Sequence, residues 1–338
     1  MKIKGINYDV GVFTTKDVSS RPIFEKAIVS REVEIIAKDL HCNAIRISGQ
    51  DIDRLIYASE CALKQGLEVW ISPQLHGSTQ AQTLEYLKQC SASVEKLHRT
   101  AQIIFVLGCE FTFFMEGLVL GSDSTERMQT FAKPWKLIKS TVLKGSFNRN
   151  LNWVLKEAVQ VVRANFSGKV TYASGAWEKV DWSLFDIVSV DYYRDSYVKR
   201  NYIEKLNAYK KFGKPLVVTE FGCCTYSGAE EKGGYGWAIV DRTKTPPELK
   251  GNFVRSEDVQ AKLITELLDI YENANVDGAF VFTFIMPKYP YDEIPQYNLD
   301  TASYAIVKSL PNGKGETYPN MPWEPKRAFT VLAKRFLK

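Results

Sequence analysis

The sequence predicts one α/β domain, residues 1–338, folded as a single (β/α)8 barrel, the TIM-barrel architecture. Three observations lead there. Eight short, β-branched apolar runs recur along the chain, as expected of strands buried on both faces of a parallel sheet. Helix-length segments separate most of them, the rhythm of strand–helix crossover units. The chain has 338 residues, which suits a barrel core of ~250 residues carrying long loops. An open doubly wound sheet would alternate in the same way, but eight repeats favour closure.

Taken in order, strand one is residues 3–7, and a helix over roughly 24–40 puts Ile35, Ile36 and Leu40 on one face. Strand two is Ala44-Ile45-Arg46-Ile47, followed by a helix from near Asp51 with Leu55, Ile56, Ala62 and Leu63 at helical spacing. Strand three is residues 68–72, helix three covers about 79–99, and strand four is 103–108. A long, aromatic-rich connection from Phe111 to about Arg149 precedes a helix from Asn150 to near Asn165. Strand five is 169–173. Only the short segment 175–185 separates it from strand six, 186–190. Helix six covers about 199–212 and strand seven is 215–219. A long loop holding Gly233-Gly234 and Pro246-Pro247 leads to helix seven at Ser256, whose hydroxyl can cap it; Glu257 and Asp258 suit the dipole of the first turn. Strand eight is 278–284, and a last long loop reaches a terminal helix at about 325–337. The long loops follow strands four, seven and eight. All three leave the same mouth of a barrel, so recognition is expected there.

Composition narrows the function. Hydrophobic residues make up 45% and charged residues 25%, ordinary for a soluble globular chain. The net charge of +5 comes without a contiguous basic block, which argues against a nucleic-acid partner. No apolar run reaches membrane-spanning length, so no membrane partner is expected. The chain opens directly on Lys2-Ile3-Lys4 without a leader pattern, the reading of a cytoplasmic protein. The six cysteines show no Cys-x-x-Cys spacing; four sit in or beside apolar segments and read as reduced core residues, and the adjacent Cys223-Cys224 pair could form only a strained vicinal disulfide, which is not expected. With three histidines and no Cys/His cluster, neither a metal nor an organic cofactor is implied.

Two glutamates stand out. Glu110 closes the run Ile103-Ile104-Phe105-Val106-Leu107-Gly108-Cys109, and Glu220 closes Pro215-Leu216-Val217-Val218-Thr219. A carboxylate where a parallel strand leaves the core lies at the mouth where barrel enzymes keep their chemistry. Two such groups facing each other are what cleavage of a glycosidic bond requires. Arg46, inside an apolar strand, needs an acidic partner. Trp177, Tyr226, Trp237, Tyr289 and Tyr291 follow strand ends and offer rings on which sugar C–H faces could pack.

The pair of motifs Val106-Leu107-Gly108-Cys109-Glu110 and Val217-Val218-Thr219-Glu220-Phe221-Gly222, on strands four and seven of eight, resembles clan A, the 4/7 superfamily of retaining glycoside hydrolases. The resemblance covers nearly the whole chain and implies a carbohydrate substrate, with Glu220 as nucleophile and Glu110 as acid/base. It further implies that Arg46 braces the nucleophile, that Tyr193 (or Tyr192, were the register to differ by one) hydrogen-bonds it, and that His76 contacts sugar. Asp191 falls where many relatives carry His. Two residues depart from the pattern. Cys109 stands where an Asn normally binds the sugar 2-hydroxyl, and a thiol cannot replace an amide. Either Asn7 or His76 holds that hydroxyl, or the substrate lacks an ordinary one. Phe282 or Phe284 stands where a Trp platform is usual. These departures leave a second reading open, a weakened or inactive carbohydrate-binding relative.

Overall fold

A computed structural model describes residues 1–15 and 18–337. Eight parallel strands close into a barrel: β1 (Ile3–Gly11), β2 (Ala44–Gly49), β3 (Glu68–Pro73), β4 (Ile103–Cys109), β5 (Lys169–Gly175), β6 (Val188–Asp191), β7 (Leu216–Phe221) and β8 (Gly278–Val281). Each pairs with the next, and β8 pairs with β1. The closed (β/α)8 barrel expected from the sequence is therefore the observed fold.

Strand alternation builds two layers. Ala44, Trp70, Ile104, Val106, Ala173, Val217 and Phe280 fill the barrel. Ile45, Ile47, Ile71, Phe105, Val188, Val190 and Val218 join the larger core between sheet and helices. Gly5 is required by this filling. A Cβ there would lie 2.3 Å from the Phe280 ring, which occupies the space.

The helices are α1 (Lys26–Lys38), α2 (Ile52–Lys64), α3 (Gln80–His98), α4 (Phe111–Phe114), α5 (Ser124–Ala132), α6 (Pro134–Lys144), α7 (Phe147–Arg163), α8 (Tyr202–Asn207), α9 (Glu257–Asn273) and α10 (Arg327–Phe336). Ser256 caps α9 through the Val259 amide, as its hydroxyl suggested. Three expectations need correction. The connection after strand four contains the helices α4, α5 and α6; the starts of α5 and α6 are marked by the Asp123 cap and by Pro134, but the residues these two helices bury are Arg127, Thr130 and Ser140, so no buried apolar stripe announces them. The helix expected over 199–212 is broken into two 3-10 segments around the six-residue α8. Strand eight stops at Val281, because beyond it Phe282 N donates to Phe221 O and Phe284 N to Asn7 O, folding the chain over the mouth.

Buried charge fixes the long loops. Asp300, in the loop after β8, accepts from Lys326 Nζ at 2.9 Å and from Arg255 Nη2 at 2.6 Å. That ties the loop after β7 and the approach to α10 to one carboxylate. All six cysteines are free and buried. Among the described residues no helix is long and apolar enough to cross a membrane.

Candidate active site

Strict alternation would turn Glu220 outward, since Val217 and Thr219 precede it on the inner face. A bulge prevents this. The pairing of β6 with β7 runs Val190 to Val218 and then Asp191 to Glu220, leaving one extra residue on β7. The extra residue swings the Glu220 carboxylate into the mouth and leaves Phe221 to pack outside against Tyr271. A second irregularity does the same on β4. There Val106 pairs with Thr171 but Cys109 with Ala173. Cys109 joins the barrel interior. Glu110 then adopts a left-handed backbone conformation, φ 41°, rare for a residue with a Cβ. Its carbonyl accepts from the Phe113 and Phe114 amides and starts α4.

Arg46 sits at the centre, fully buried on β2. Its Nη1 donates to Glu220 Oε1 at 2.7 Å and to Asn7 Oδ1 at 3.1 Å, and its Nη2 to Ser72 Oγ at 3.2 Å. Tyr193 OH donates to Glu220 Oε2 at 3.1 Å. Glu220 thus receives one donor on each oxygen. Cys109 Sγ lies 3.3 Å from Asp191 Oδ2, to which it donates, and 3.8 Å from Glu220 Oε1. Asp191 Oδ1 lies 3.9 Å from Arg46 Nη1 and has no hydrogen-bond partner.

Two carboxylates, Asp191 and Glu220, therefore share one guanidinium. Burial, then Asp191 and Glu220, push the Glu110 carboxyl well above the usual range. Burial and Glu220 do the same to Asp191. The Cys109 thiol is also raised, by burial and then by Asp191 and Glu220, so it is not poised as a thiolate. Cys109, Asp191 and Glu220 bring three donor atoms within 4.8 Å of one another, the spacing of a metal cluster. The Arg46 guanidinium already supplies positive charge there.

Several expected roles change. Asn7 is buried and its amide nitrogen donates to Thr219 O at 2.9 Å, so it supports Arg46 and β7 from below and has no free donor for a sugar. Tyr192 points outward and donates to Tyr202 O, which leaves Tyr193 as the tyrosine on Glu220. His76 stacks on Phe114 with ring centroids 4.1 Å apart, and neither ring nitrogen has a partner. Burial, with Arg127 and Lys288, lowers its pKa to about 3, so the ring is neutral. Trp177 stacks on Phe113 and donates Nε1 to Thr112 Oγ1 at 2.9 Å, packing the turn after Glu110 and not an open cleft. Tyr226 and Tyr289 are buried, and Tyr291 packs under Arg255 and Lys308. Trp237 is half-buried against the loop cluster of Val240, Leu249, Tyr289, Leu299 and Ala302. Phe282 is half-buried and meets Tyr193 edge-on at 6.4 Å, whereas Phe284 packs away from the mouth on Tyr8 and Trp323.

Two residues were missed. Glu178 accepts from Thr112 N, Thr112 Oγ1, Tyr172 OH and Gly175 N at 2.7–3.1 Å, and Tyr172 OH accepts from Phe111 N at 2.6 Å. This network holds the turn that begins at Glu110. Its acidic residue looks like any loop charge in the sequence. Tyr304 packs on Tyr193 at 5.7 Å and accepts from Gly236 N at 2.9 Å, clamping the loop after β7 beside the mouth.

No family model matches the chain, and no curated protein matches it. Solved structures do. A GH113 β-1,4-mannanase aligns over 100% of both chains with 15% identity and a TM-score of 0.63. Bacteroides uniformis β-glucuronidase 2 aligns over 100% of this chain and 35% of its own, with 14% identity and a TM-score of 0.59. A β-glucosidase aligns over 100% of this chain and 98% of its own, with 11% identity and a TM-score of 0.57. At these identities the likeness is one of fold: the chain shares the closed eight-stranded parallel barrel of glycoside hydrolases.

Proposed function

We propose that the protein is a retaining glycoside hydrolase acting on a β-linked sugar. The observation that carries this reading is the division between the two acids. Glu220 receives Arg46 at 2.7 Å and Tyr193 at 3.1 Å, donors suited to an anion, while Glu110 has no side-chain hydrogen bond among the described residues and is driven toward its protonated form by burial and neighbouring acids. A nucleophile and a proton donor need those two states.

In the first step Glu220 attacks the anomeric carbon as the C1–O bond breaks, and Glu110 gives its proton to the leaving oxygen. The ester so formed on Glu220 is cleaved by water. Glu110, now a carboxylate, takes the water's proton, and both acids return to their starting forms. Arg46 and Tyr193 hold the attacking oxygens and stabilise the released carboxylate. The structural neighbours, a mannanase, a β-glucuronidase and a β-glucosidase, support a β-hexoside as the substrate class.

Glu220→Ala removes the nucleophile and is expected to abolish turnover of an aryl β-glycoside while the chain stays folded, with a lowered thermal transition because Arg46 loses its 2.7 Å partner. Glu110→Ala is expected to spare substrates with good leaving groups far more than poor ones. The pH profile carries the same assignment. Because Glu110 is raised, it keeps its proton beyond the ordinary carboxylate range of ~4.3 and loses it as pH rises further. The alkaline limb of kcat/KM should fall above that range and disappear in Glu110→Gln. Wild-type turnover in Glu220→Ala would refute the assignment. The Cys109–Asp191 pair, standing in for an amide and a histidine, favours the second reading of a non-catalytic sugar binder. Oligosaccharide binding with no hydrolysis across a broad set of aryl glycosides would select it.

A further inference from the structure

The helix α6 is turned inside out. Trp135 (61% exposed), Ile138 (66%), Val142 (78%) and Leu143 (63%) point to solvent, and Ser140 is the residue it buries. The Ser140 hydroxyl accepts from Leu120 N at 3.0 Å and anchors the helix to the loop beneath. Trp135, Ile138 and Val142 follow at intervals of three and four, so they form one apolar face. An amphipathic helix normally presents such a face to its own core.

Charge identifies what this face meets. Between Glu126 and Glu157 the sequence contains no acidic residue and seven basic ones; Arg127 is buried, and Lys133, Lys136, Lys139, Lys144, Arg149 and Lys156 remain for the surface. Their spacing hides them from a search for contiguous basic runs. The excess exceeds the chain's net +5, so the rest of the protein is slightly acidic and the positive charge gathers here. Lys136 and Lys139 lie on the exposed helix itself, and the Lys136 ammonium sits 5.7 Å from the Trp135 ring. Beyond Lys144 an open groove of about 940 Å³ is lined by Lys144, Arg149 and the half-exposed Trp153.

We propose that α6 docks the protein on an anionic lipid bilayer. Apolar side chains led by a tryptophan, rimmed by lysines on flexible stems, match the interfacial helix that lies ~5–10 Å deep at the headgroup boundary. A single face of this kind binds reversibly and does not span the bilayer. A second copy of the chain would bring two basic patches together, and a nucleic acid would leave Ile138 and Val142 uncovered. Since α6 belongs to the connection that starts at Glu110, docking would hold the barrel mouth close to the bilayer surface.

The test is flotation of the full-length protein with vesicles of equimolar phosphatidylcholine and phosphatidylglycerol, beside vesicles of phosphatidylcholine alone. Binding is expected to the anionic vesicles, to weaken with added salt, and to drop at least tenfold in the double variant Ile138→Asp/Val142→Asp. Both sites are exposed, so the variant should keep its thermal transition and any activity on soluble glycosides. Absence of binding at low salt, equal binding to neutral vesicles, or undiminished binding by the double variant would overturn the proposal. So would self-association in sedimentation that the double variant removes, because the face would then be covered by a second copy.

Discussion

Cys109 and Asp191 depend on each other. Asp191 is closed off from water, and the thiol is the donor to its Oδ2. Cys109→Ala should leave that oxygen unsatisfied and destabilise the fold by ~1–3 kcal/mol, while Cys109→Ser, which keeps a donor, should lie nearer wild type. Chemical denaturation of both variants checks this; equal losses would mean that the thiol contributes packing alone. At this scale much was legible. Glu110 and Glu220 close apolar runs and Arg46 interrupts one, whereas Tyr193 was implied only by the resemblance, with Tyr192 left as the alternative. The structure brings Arg46 and Tyr193 onto Glu220. The task of Asn7 was not legible, because an amide that bridges Arg46 to the Thr219 carbonyl is visible only once β1, β2 and β7 are side by side.

The elements that aim the acids are irregular. Bulges on β4 and β7 decide which way Cys109 and Glu220 face, and the left-handed Glu110 is followed at once by the four-residue α4. Apolar alternation predicts strands but not where one gains an extra residue, so the order of the eight strands was legible, strand eight being read three residues too long, while the orientation of their last residues came only from the resemblance. Glu178 holds the turn after Glu110 by accepting from donors on both sides of it. Glu178→Gln replaces an acceptor by a donor facing those N–H and O–H groups. It should cost ~1–3 kcal/mol of stability and, by letting Glu110 shift, lower kcat/KM by ~10–100-fold, mostly in kcat. A stability loss with unchanged kcat would assign Glu178 a structural role only. The outward-facing α6 escaped notice for a related reason: its apolar spacing is that of a core helix, and only coordinates show which side faces the barrel.

The whole molecule is a closed cylinder whose strand ends converge. Closure puts β2, β4, β6 and β7 around one mouth, so residues 46, 110, 191, 193 and 220 reach a common space despite their separation in sequence. The eight-strand rhythm made this arrangement legible in advance. The loops above the mouth were less so, because buried contacts such as Asp300 with Lys326 and Arg255 join segments that sequence periodicity does not connect. The central claim is that Glu220 forms a covalent bond to the sugar. The most direct measurement is trapping with activated 2-fluoro β-glycosides followed by peptide mass spectrometry. The account predicts a glycosyl adduct on the peptide containing Glu220, absent in Glu220→Ala. An adduct on Glu110, Asp191 or Cys109, or hydrolysis that inverts the anomeric centre, would contradict it.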